Sequence, residues 1–397
     1  MEAVDDIVDI PLHGGYETYN SSSGRTSASN QGIEIYITNS TLKDDTFSKY
    51  ISYWIQGHDS SGNFQVYRRY SDFLALRTQL IQKWPGCYIP PVPPKQLIGN
   101  LSSKFIEARR KQLEYFLQTT SAINFIYVTE EFQLFIRNQT EFERASDSFR
   151  ISNREISQTY QNLFMDFTRS QVTLEMKRKL DDYDEFFKNS HNVLSTFKKS
   201  VKSVGIQFHV FQSQFCDLNT KLKELEKGYI KELREYENVL YVPIEKRSLE
   251  NPFLELYDWA KQEAQDIKSI LEALASRTGI EAQKLKAEKR MEKESKSLKK
   301  IQQGKSTFTQ IFSSTTKTEQ LASAEVQIKD IEDEIKDLET ILRIIMIRLC
   351  EYELPIFKAN KIKTYERMMK KYAELTVSGF KIITDSAKGI QERMGEQ

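Results

Sequence analysis

The sequence has few of the residues that build disulfide frameworks, metal sites or membrane spans. Its three cysteines, Cys87, Cys216 and Cys350, are far apart and show no CxxC or Cys/His spacing, which argues against disulfides and zinc and favours a reducing compartment. Its most apolar stretch, residues 341–350, contains two arginines and is shorter than the roughly 20 residues that a membrane span requires. We therefore expect a cytoplasmic protein whose contact with any membrane is peripheral.

The sequence also lacks an excess of charge and the common catalytic motifs. Its 57 basic and 56 acidic residues create no overall field that would attract nucleic acid. None of its four histidines lies in a zinc-protease or nucleophile-elbow context. The segment Gly304-Lys305-Ser306-Thr307 lacks the earlier glycine and the preceding strand of a phosphate-binding loop. We expect no nucleic-acid partner, no cofactor, no metal and no enzymatic activity.

Proline is scarce and unevenly placed. Five of the nine prolines lie between Pro85 and Pro94, and none lies between Lys95 and Val242. A proline-rich run is extended and stiff, whereas a long stretch without proline is free to form helices. The sequence therefore predicts an extended, stiff stretch at residues 85–94 and helices after it.

Strand patterns dominate the region before the prolines. Residues 1–31 are acidic and then polar, which predicts a disordered tail. Apolar residues then alternate in three short runs, around Ile35, Tyr53 and Phe64, with a turn signal at residues 59–62. A helix is predicted over residues 71–84 and more helix over 103–137. This order indicates an α+β domain with a three-stranded antiparallel sheet.

The remainder of the chain has the periodicity of long helices. Apolar residues recur at alternating spacings of three and four from Leu180 to Tyr229, as in coiled helices. Similar stripes run from Pro252 towards Gln303 and from about Thr318 onwards, with a kink predicted at Pro355. Helices this long should pack lengthwise on one another and on a second copy. We expect an elongated three-helix dimer; a plain coiled-coil rod or a spectrin-like bundle is the alternative.

The most informative segment is Tyr67-Arg68-Arg69-Tyr70-Ser71-Asp72-Phe73, which lies where a strand is predicted to end and a helix to begin. An arginine there, beside unpaired helix-start amides, suits a phosphate group. The alternative is that both arginines are ordinary surface residues and Tyr70 belongs to the core.

With the proline-rich run ending in Lys95 and the basic helical segment Phe105-Ile106-Glu107-Ala108-Arg109-Arg110, this motif resembles the PX domain of the sorting nexins over about residues 32–140. The resemblance implies that Arg69 holds the 3-phosphate of phosphatidylinositol 3-phosphate and that Tyr70 stacks on the inositol ring. It implies that Lys95 contacts the 1-phosphate side and Arg109 the 4- and 5-hydroxyls. Ser71 is expected to add a contact at the helix start.

Apolar residues in the proline-rich loop, Tyr88, Ile89 and Val92, are candidates for insertion into a bilayer. Packing against the fold is the equal alternative. Between the two predicted domains, residues 141–158 form a linker in which Phe142, Ala145, Phe149 and Ile156 could line an amphipathic helix that inserts among headgroups. The alternative is that these linker residues pack within the protein.

The helical region, residues 159–397, resembles the BAR domain of the sorting nexins that join it to a PX domain, on helix number, length and order. That resemblance places a basic segment at the tip of a BAR arm, where it would contact an anionic membrane. The candidate residues are Lys289, Arg290, Lys293, Lys296, Lys299 and Lys300. The alternative is a solvated helix face.

Together the two resemblances imply a peripheral protein of early endosomes that binds phosphatidylinositol 3-phosphate and senses or induces curvature during endosomal sorting and protein transport. The implied partner is an identical chain or a related sorting nexin, and retromer or cargo tails are further candidates. The alternative is a phosphoinositide-binding tether or cargo adaptor, linked to retromer or to autophagy, that does not bend membrane.

Overall fold

The computed structural model describes residues 32–44, 49–96, 102–139, 142, 149, 151–230, 232, 249–303 and 317–395. The predicted disordered tail and the segment 304–307 lie outside these residues. The chain divides into two compact units. Among the described residues, the sheet unit comprises those within 32–188 and 266–357, and the helical unit comprises those within 189–265 and 358–395.

The sheet unit begins with a three-stranded antiparallel sheet in the order β1-β2-β3. Its strands are β1 Glu34–Asp44, β2 Lys49–Asp59 and β3 Gly62–Arg69. The turn between β2 and β3 is tight, because Asp59 pairs with Gly62 and Gly62 has a φ of 105° that side chains rarely adopt. Alternate residues such as Ile37, Ile55 and Val66 are buried. The predicted sheet and its turn are confirmed.

Four helices pack on this sheet. They are α1 Tyr70–Lys83, α2 Ser103–Ser121, α3 Asn124–Tyr127 and α4 Glu130–Arg137. The helix predicted over 103–137 is thus three helices. The third starts at residue 130 because the Thr129 hydroxyl accepts a hydrogen bond from the backbone N–H of Phe132 at 3.3 Å, which is an N-cap contact.

The remainder of the described chain is helical. Its elements are α5 Asn153–Leu163, α6 Met165–Thr168, α7 Leu174–Leu225, α8 Pro252–Gln302, α9 Lys317–Arg348 and α10 Leu354–Gly395. These helices confirm the long helical region predicted from the apolar repeats. No helix among the described residues has a stretch apolar and long enough to cross a membrane.

The irregularity predicted at Pro355 takes the form of a π turn, Leu349–Glu353, between α9 and α10. Proline has no backbone N–H and cannot donate to the carbonyl four residues earlier. The π turn lies directly before Pro355. It contains Glu351, whose carbonyl would accept the hydrogen bond that Pro355 cannot donate.

The linker residues that the structure describes lie in the core. Phe142 is buried, with its ring centre 5.1 Å from that of Phe135. Ile156 is buried on α5, a helix that packs against α9. Ala145 lies outside the described residues and Phe149 is half-buried. For Phe142 and Ile156, insertion among headgroups is contradicted, because packing within the protein already covers them.

Candidate functional site

The junction of β3 and α1 presents Arg69 at the start of a helix. The backbone N–H of Arg69 donates to the Asp72 carboxylate at 2.9 Å, and this carboxylate in the first turn stabilises the helix start. The side chain of Arg69 is 32% exposed, and its guanidinium carbon lies 6.0 Å from the centre of the Tyr50 ring. The junction therefore offers an accessible guanidinium next to helix-start amides.

The neighbouring Arg68 has a different role, because successive strand residues point to opposite faces. Arg68 is buried and donates to the carbonyls of Phe135 at 2.9 Å and Leu134 at 3.2 Å, and also to that of Asn138. These carbonyls lie at the C-terminal end of α4, where the last carbonyls of a helix lack some of their partners within the helix. The alternative that Arg68 is a surface residue is wrong; it ties α4 to the sheet.

Arg109 of α2 lies between two aromatic rings. Its guanidinium carbon is 4.3 Å from the centre of the Tyr70 ring and 4.3 Å from that of Phe105. Arg109 is buried, and its Nε donates to no atom of the residues that the structure describes. The stacking fixes the plane of the guanidinium, while a buried donor without an acceptor has capacity for a ligand.

The proline-rich loop closes the site on the side of Tyr70 and Arg109. The Tyr70 hydroxyl donates to the carbonyl of Pro93 at 2.6 Å, and Arg109 Nη2 donates to that of Pro94 at 3.2 Å. Lys95 is the next residue of the loop and is exposed. The structure thus brings Tyr70 and Arg109 to the loop that carries Lys95. Ser71 is half-buried in the first turn of α1.

The electrostatics of the site are those of a partly desolvated cation. Burial lowers the pKa of the Arg109 guanidinium, while the nearby hydroxyls of Tyr53 and Tyr70 act in the opposite direction. Burial raises the pKa of Tyr53 to about 12 although Arg109 opposes the shift. Since no carboxylate is among these partners, the positive charge of Arg109 is not neutralised by them. An anionic group in the site would compensate for the desolvation of Arg109.

Comparison with known proteins relates this region of the chain to a known domain family. Residues 56–139 match the PX domain family. This stretch is similar to PX domains. Over 81 residues the sequence is 42% identical to vacuolar protein sorting-associated protein vps5 of Schizosaccharomyces pombe, a match that covers 20% of this chain and 14% of that protein. Over 200 residues it is 25% identical to sorting nexin-7 of Mus musculus, covering 48% of this chain and 46% of that protein.

These matches confirm the predicted resemblance to sorting nexins, although the chain spans less than half the length of either relative. Among solved structures, the chain is similar to the SNX-BAR Mvp1 tetramer determined by cryo-EM. That similarity has a TM-score of 0.47 and 17% identity, and covers 90% of this chain and 99% of the other. The three-stranded sheet with its helices and the long helices that follow are the elements predicted from the sequence.

Two of the three loop residues predicted to contact membrane are in the core. Tyr88 and Ile89 are 7% and 2% exposed. The Tyr88 hydroxyl lies 3.0 Å from a carboxylate oxygen of Asp266, and its ring centre lies 5.3 Å from that of Phe357. Membrane insertion of Tyr88 and Ile89 is therefore contradicted, because helices of the sheet unit cover them. Val92 is half-buried and stays a prediction.

The basic segment of α8 is exposed but lies beside an acidic one. All six candidate residues there, from Lys289 to Lys300, are exposed. Arg290 Nη2 lies 2.7 Å from each carboxylate oxygen of Glu334 on α9, and Lys296 pairs with Glu292 at 2.6 Å. Residues 284–300 contain eight basic and three acidic side chains, whereas residues 325–339 contain two basic and seven acidic ones. The first segment has an excess of five positive charges and the second an excess of five negative charges, so the charge of the α8 segment alone overstates the local field.

Two aromatic residues of the site were not predicted. Phe105 stacks on Arg109 and lies four residues before it, on the same helix face. Tyr50, near Arg69, lies on β2 two residues before Ser52, which pairs with Arg69. Helical spacing within the basic motif could have indicated Phe105. The position of Tyr50 requires the strand register, which a single sequence does not show.

Proposed function

We propose that the PX domain binds the headgroup of phosphatidylinositol 3-phosphate on the cytosolic face of early endosomes. The observation that carries this proposal is the stacking of Arg109 on Tyr70, the residue that follows Arg69 at the start of α1. In this arrangement Arg69 and the α1 amides hold the 3-phosphate, and the inositol ring packs on Tyr70. Arg109, held between two rings, donates to the hydroxyls, and Lys95 and Ser71 add polar contacts at the edge.

The test is sedimentation of the full chain with vesicles that contain phosphatidylinositol 3-phosphate or its 4-phosphate isomer. Arg69→Ala should abolish the preference for the 3-phosphate lipid. Arg154→Ala is the matched control, because it removes one positive charge from an exposed position on α5. If Arg69→Ala still selects the 3-phosphate lipid, the assignment of the pocket is wrong.

We further propose that the helical unit pairs with a second chain. One set of apolar residues along α7, spaced seven apart from Phe197 onwards, is exposed in this unit: Phe197, Val204, Phe211, Leu218 and Leu225. A strict heptad repeat predicts that such a stripe faces another helix. An adjacent groove of about 270 Å³ is lined almost wholly by apolar atoms, with Phe208, Phe253 and Phe380 among its residues. A second copy of this chain, or a related sorting nexin, presents the same kind of stripe and would cover this surface.

The paired chain would present two PX domains and two basic α8 segments to one membrane, which multiplies affinity through effective concentration. We propose that this pairing lets the protein sense or induce curvature during endosomal sorting and protein transport. A tether or cargo adaptor, linked to retromer or to autophagy, would bind the same vesicles without deforming them. Electron microscopy of vesicles coated with the full chain separates the two functions: tubules support curvature, and decorated spherical vesicles support the tether.

A further inference from the structure

Arg77 connects the lipid-site loop to a long helix of the sheet unit. Its Nε donates to the carbonyl of Pro90 at 2.8 Å. Its Nη2 lies 2.9 Å from the Ser269 hydroxyl and 2.5 Å from a Glu272 carboxylate oxygen, both on α8. The side chain of Arg77 is only 12% exposed. One guanidinium therefore holds a loop carbonyl and two helix groups together, which a planar fork of donors allows.

The first half of the loop is fastened to the same unit by further contacts. The Tyr160 hydroxyl of α5 donates to the carbonyl of Pro85 at 2.6 Å. The backbone N–H of Tyr88 donates to the Glu353 carboxylate at 3.2 Å. Gly86 has a φ of 81°, and a Cβ at this position would lie 2.7 Å from Ile345 Cγ2 of α9. Residues 85–90 are thus held in place by α5, α8 and α9.

The second half of the same loop lines the candidate lipid site. Pro93 and Pro94 accept hydrogen bonds from Tyr70 and Arg109, and Pro90 is only three residues before Pro93. A proline-rich run is stiff, because each proline fixes its own φ and restricts the backbone of the residue before it. A displacement at Pro90 would therefore carry to the carbonyls that orient Tyr70 and Arg109.

We propose that Arg77 is a positioning residue for the lipid site, and that Ser269 and Glu272 of α8 act through it to set the affinity of the PX domain for the 3-phosphate headgroup. This inference rests on the proposed function of the site. The long helices would then support headgroup binding directly, in addition to any role in pairing. A PX domain without α8 would bind the headgroup less tightly than the full chain.

The direction in which Glu272→Gln changes the affinity for vesicles distinguishes positioning by Arg77 from a simple effect of charge. Glu272→Gln removes a negative charge, so a purely electrostatic account predicts equal or tighter binding to anionic vesicles. Positioning by Arg77 instead predicts about five- to tenfold weaker binding to vesicles containing phosphatidylinositol 3-phosphate, the loss expected from one hydrogen bond. Arg77→Lys keeps the charge but cannot reach both the loop and α8, and should show a similar loss. Glu281→Gln, at an exposed site on the same helix, is the control.

Binding of the full chain is measured per folded protein, with the melting temperature recorded for each variant and with phosphatidylserine vesicles as a second surface. We expect Glu272→Gln and Arg77→Lys to bind vesicles with phosphatidylinositol 3-phosphate more weakly by that factor. Their binding to phosphatidylserine vesicles should be unchanged. If both variants bind the 3-phosphate vesicles as Glu281→Gln does, positioning is overturned and the function of the site stands. If the unmodified chain does not prefer the 3-phosphate lipid, both proposals are overturned.

Discussion

The guanidinium carbon of Arg109 lies 4.3 Å from the centre of the Tyr70 ring, although the two residues belong to different helices. The proline-rich loop holds both, because the Tyr70 hydroxyl and Arg109 Nη2 donate to the carbonyls of adjacent prolines. The ring and the cation are therefore arranged before any ligand arrives. Such preorganisation reduces the entropy lost on binding.

Replacement of Arg109 by lysine tests whether this geometry matters beyond charge. Arg109→Lys keeps the positive charge but loses the planar stacking and the fork of donors. We expect about tenfold weaker binding of a soluble phosphatidylinositol 3-phosphate analogue, measured by isothermal titration calorimetry. Lys104→Gln, an exposed position on the same helix, should change the affinity little. An Arg109→Lys variant with unchanged affinity would show that charge alone suffices.

Substitution of Arg68 should lower the stability of the protein, whereas substitution of Arg69 should leave the stability nearly unchanged. Arg68→Ala removes the buried donor to the carbonyls of Phe135, Leu134 and Asn138, so the free energy of unfolding should fall by about 2–4 kcal/mol. Arg69→Ala should change that free energy by less than about 0.5 kcal/mol, since it alters an accessible side chain. Urea unfolding followed by circular dichroism measures both. Equal destabilisation by the two substitutions would contradict the assigned roles.

The acid sensitivity of the sheet unit should depend on Asp59. Burial alone would raise the pKa of Asp59, but hydrogen bonds from Tyr127 and Arg137 outweigh it, and the pKa lies below its ordinary value. A lowered folded-state pKa contributes stability above the unfolded-state value of about 4, and this stability is lost as pH falls through the folded value. Asp59→Asn should therefore lower the melting temperature at pH 7. The difference from the unmodified chain should shrink towards pH 3, and a difference constant with pH would contradict this explanation.

The exposed stripe on α7 should control the oligomeric state. Phe211→Glu places a charge in the stripe, and burying an unpaired charge in a helix seam is costly. We expect the full chain to be dimeric by sedimentation equilibrium and the variant to be monomeric at the same concentration. Gln214→Glu, exposed on the same helix but off the stripe, should stay dimeric. A monomeric unmodified chain would contradict the pairing itself.

The basic segment of α8 should contribute modestly to vesicle binding. Basic residues near an anionic surface are worth about 1 kcal/mol each, but the acidic segment of α9 opposes them. Replacing Lys293, Lys299 and Lys300 by glutamine should therefore weaken binding to phosphatidylserine vesicles by less than about 100-fold, the limit for three independent charges. Co-sedimentation at two salt concentrations checks this. No loss at all would show that this face of α8 does not contact the membrane.

The sequence predicted the parts of the structure that depend on local pattern. The strands, the β2–β3 turn and the long helices follow from apolar spacing. The assignment of Arg69, Tyr70, Lys95 and Arg109 to a lipid site, made from motifs in the expected order, stays a prediction. Arg77 was not predicted to contribute, because its partners Ser269 and Glu272 lie 192 and 195 residues further along the chain. Nothing in the local sequence indicates these contacts.

The incorrect expectations share the same cause. Tyr88 and Ile89 are apolar residues in a loop, and only the contact with Asp266, 178 residues away, shows that they are covered. Likewise, the charge of the α8 segment was assessed without the helix that lies beside it. Burial and net local charge are properties of packed neighbours, so a single segment does not determine them.

Binding of the headgroup is tested most directly by a crystal structure of the full chain with a short-chain phosphatidylinositol 3-phosphate. We expect the 3-phosphate within hydrogen-bond distance of the Arg69 guanidinium, the inositol ring against Tyr70, and Arg109 donating to the ring hydroxyls. A headgroup bound along α8, or no headgroup contact with Arg69 and Arg109 at saturating ligand, would contradict the proposed site.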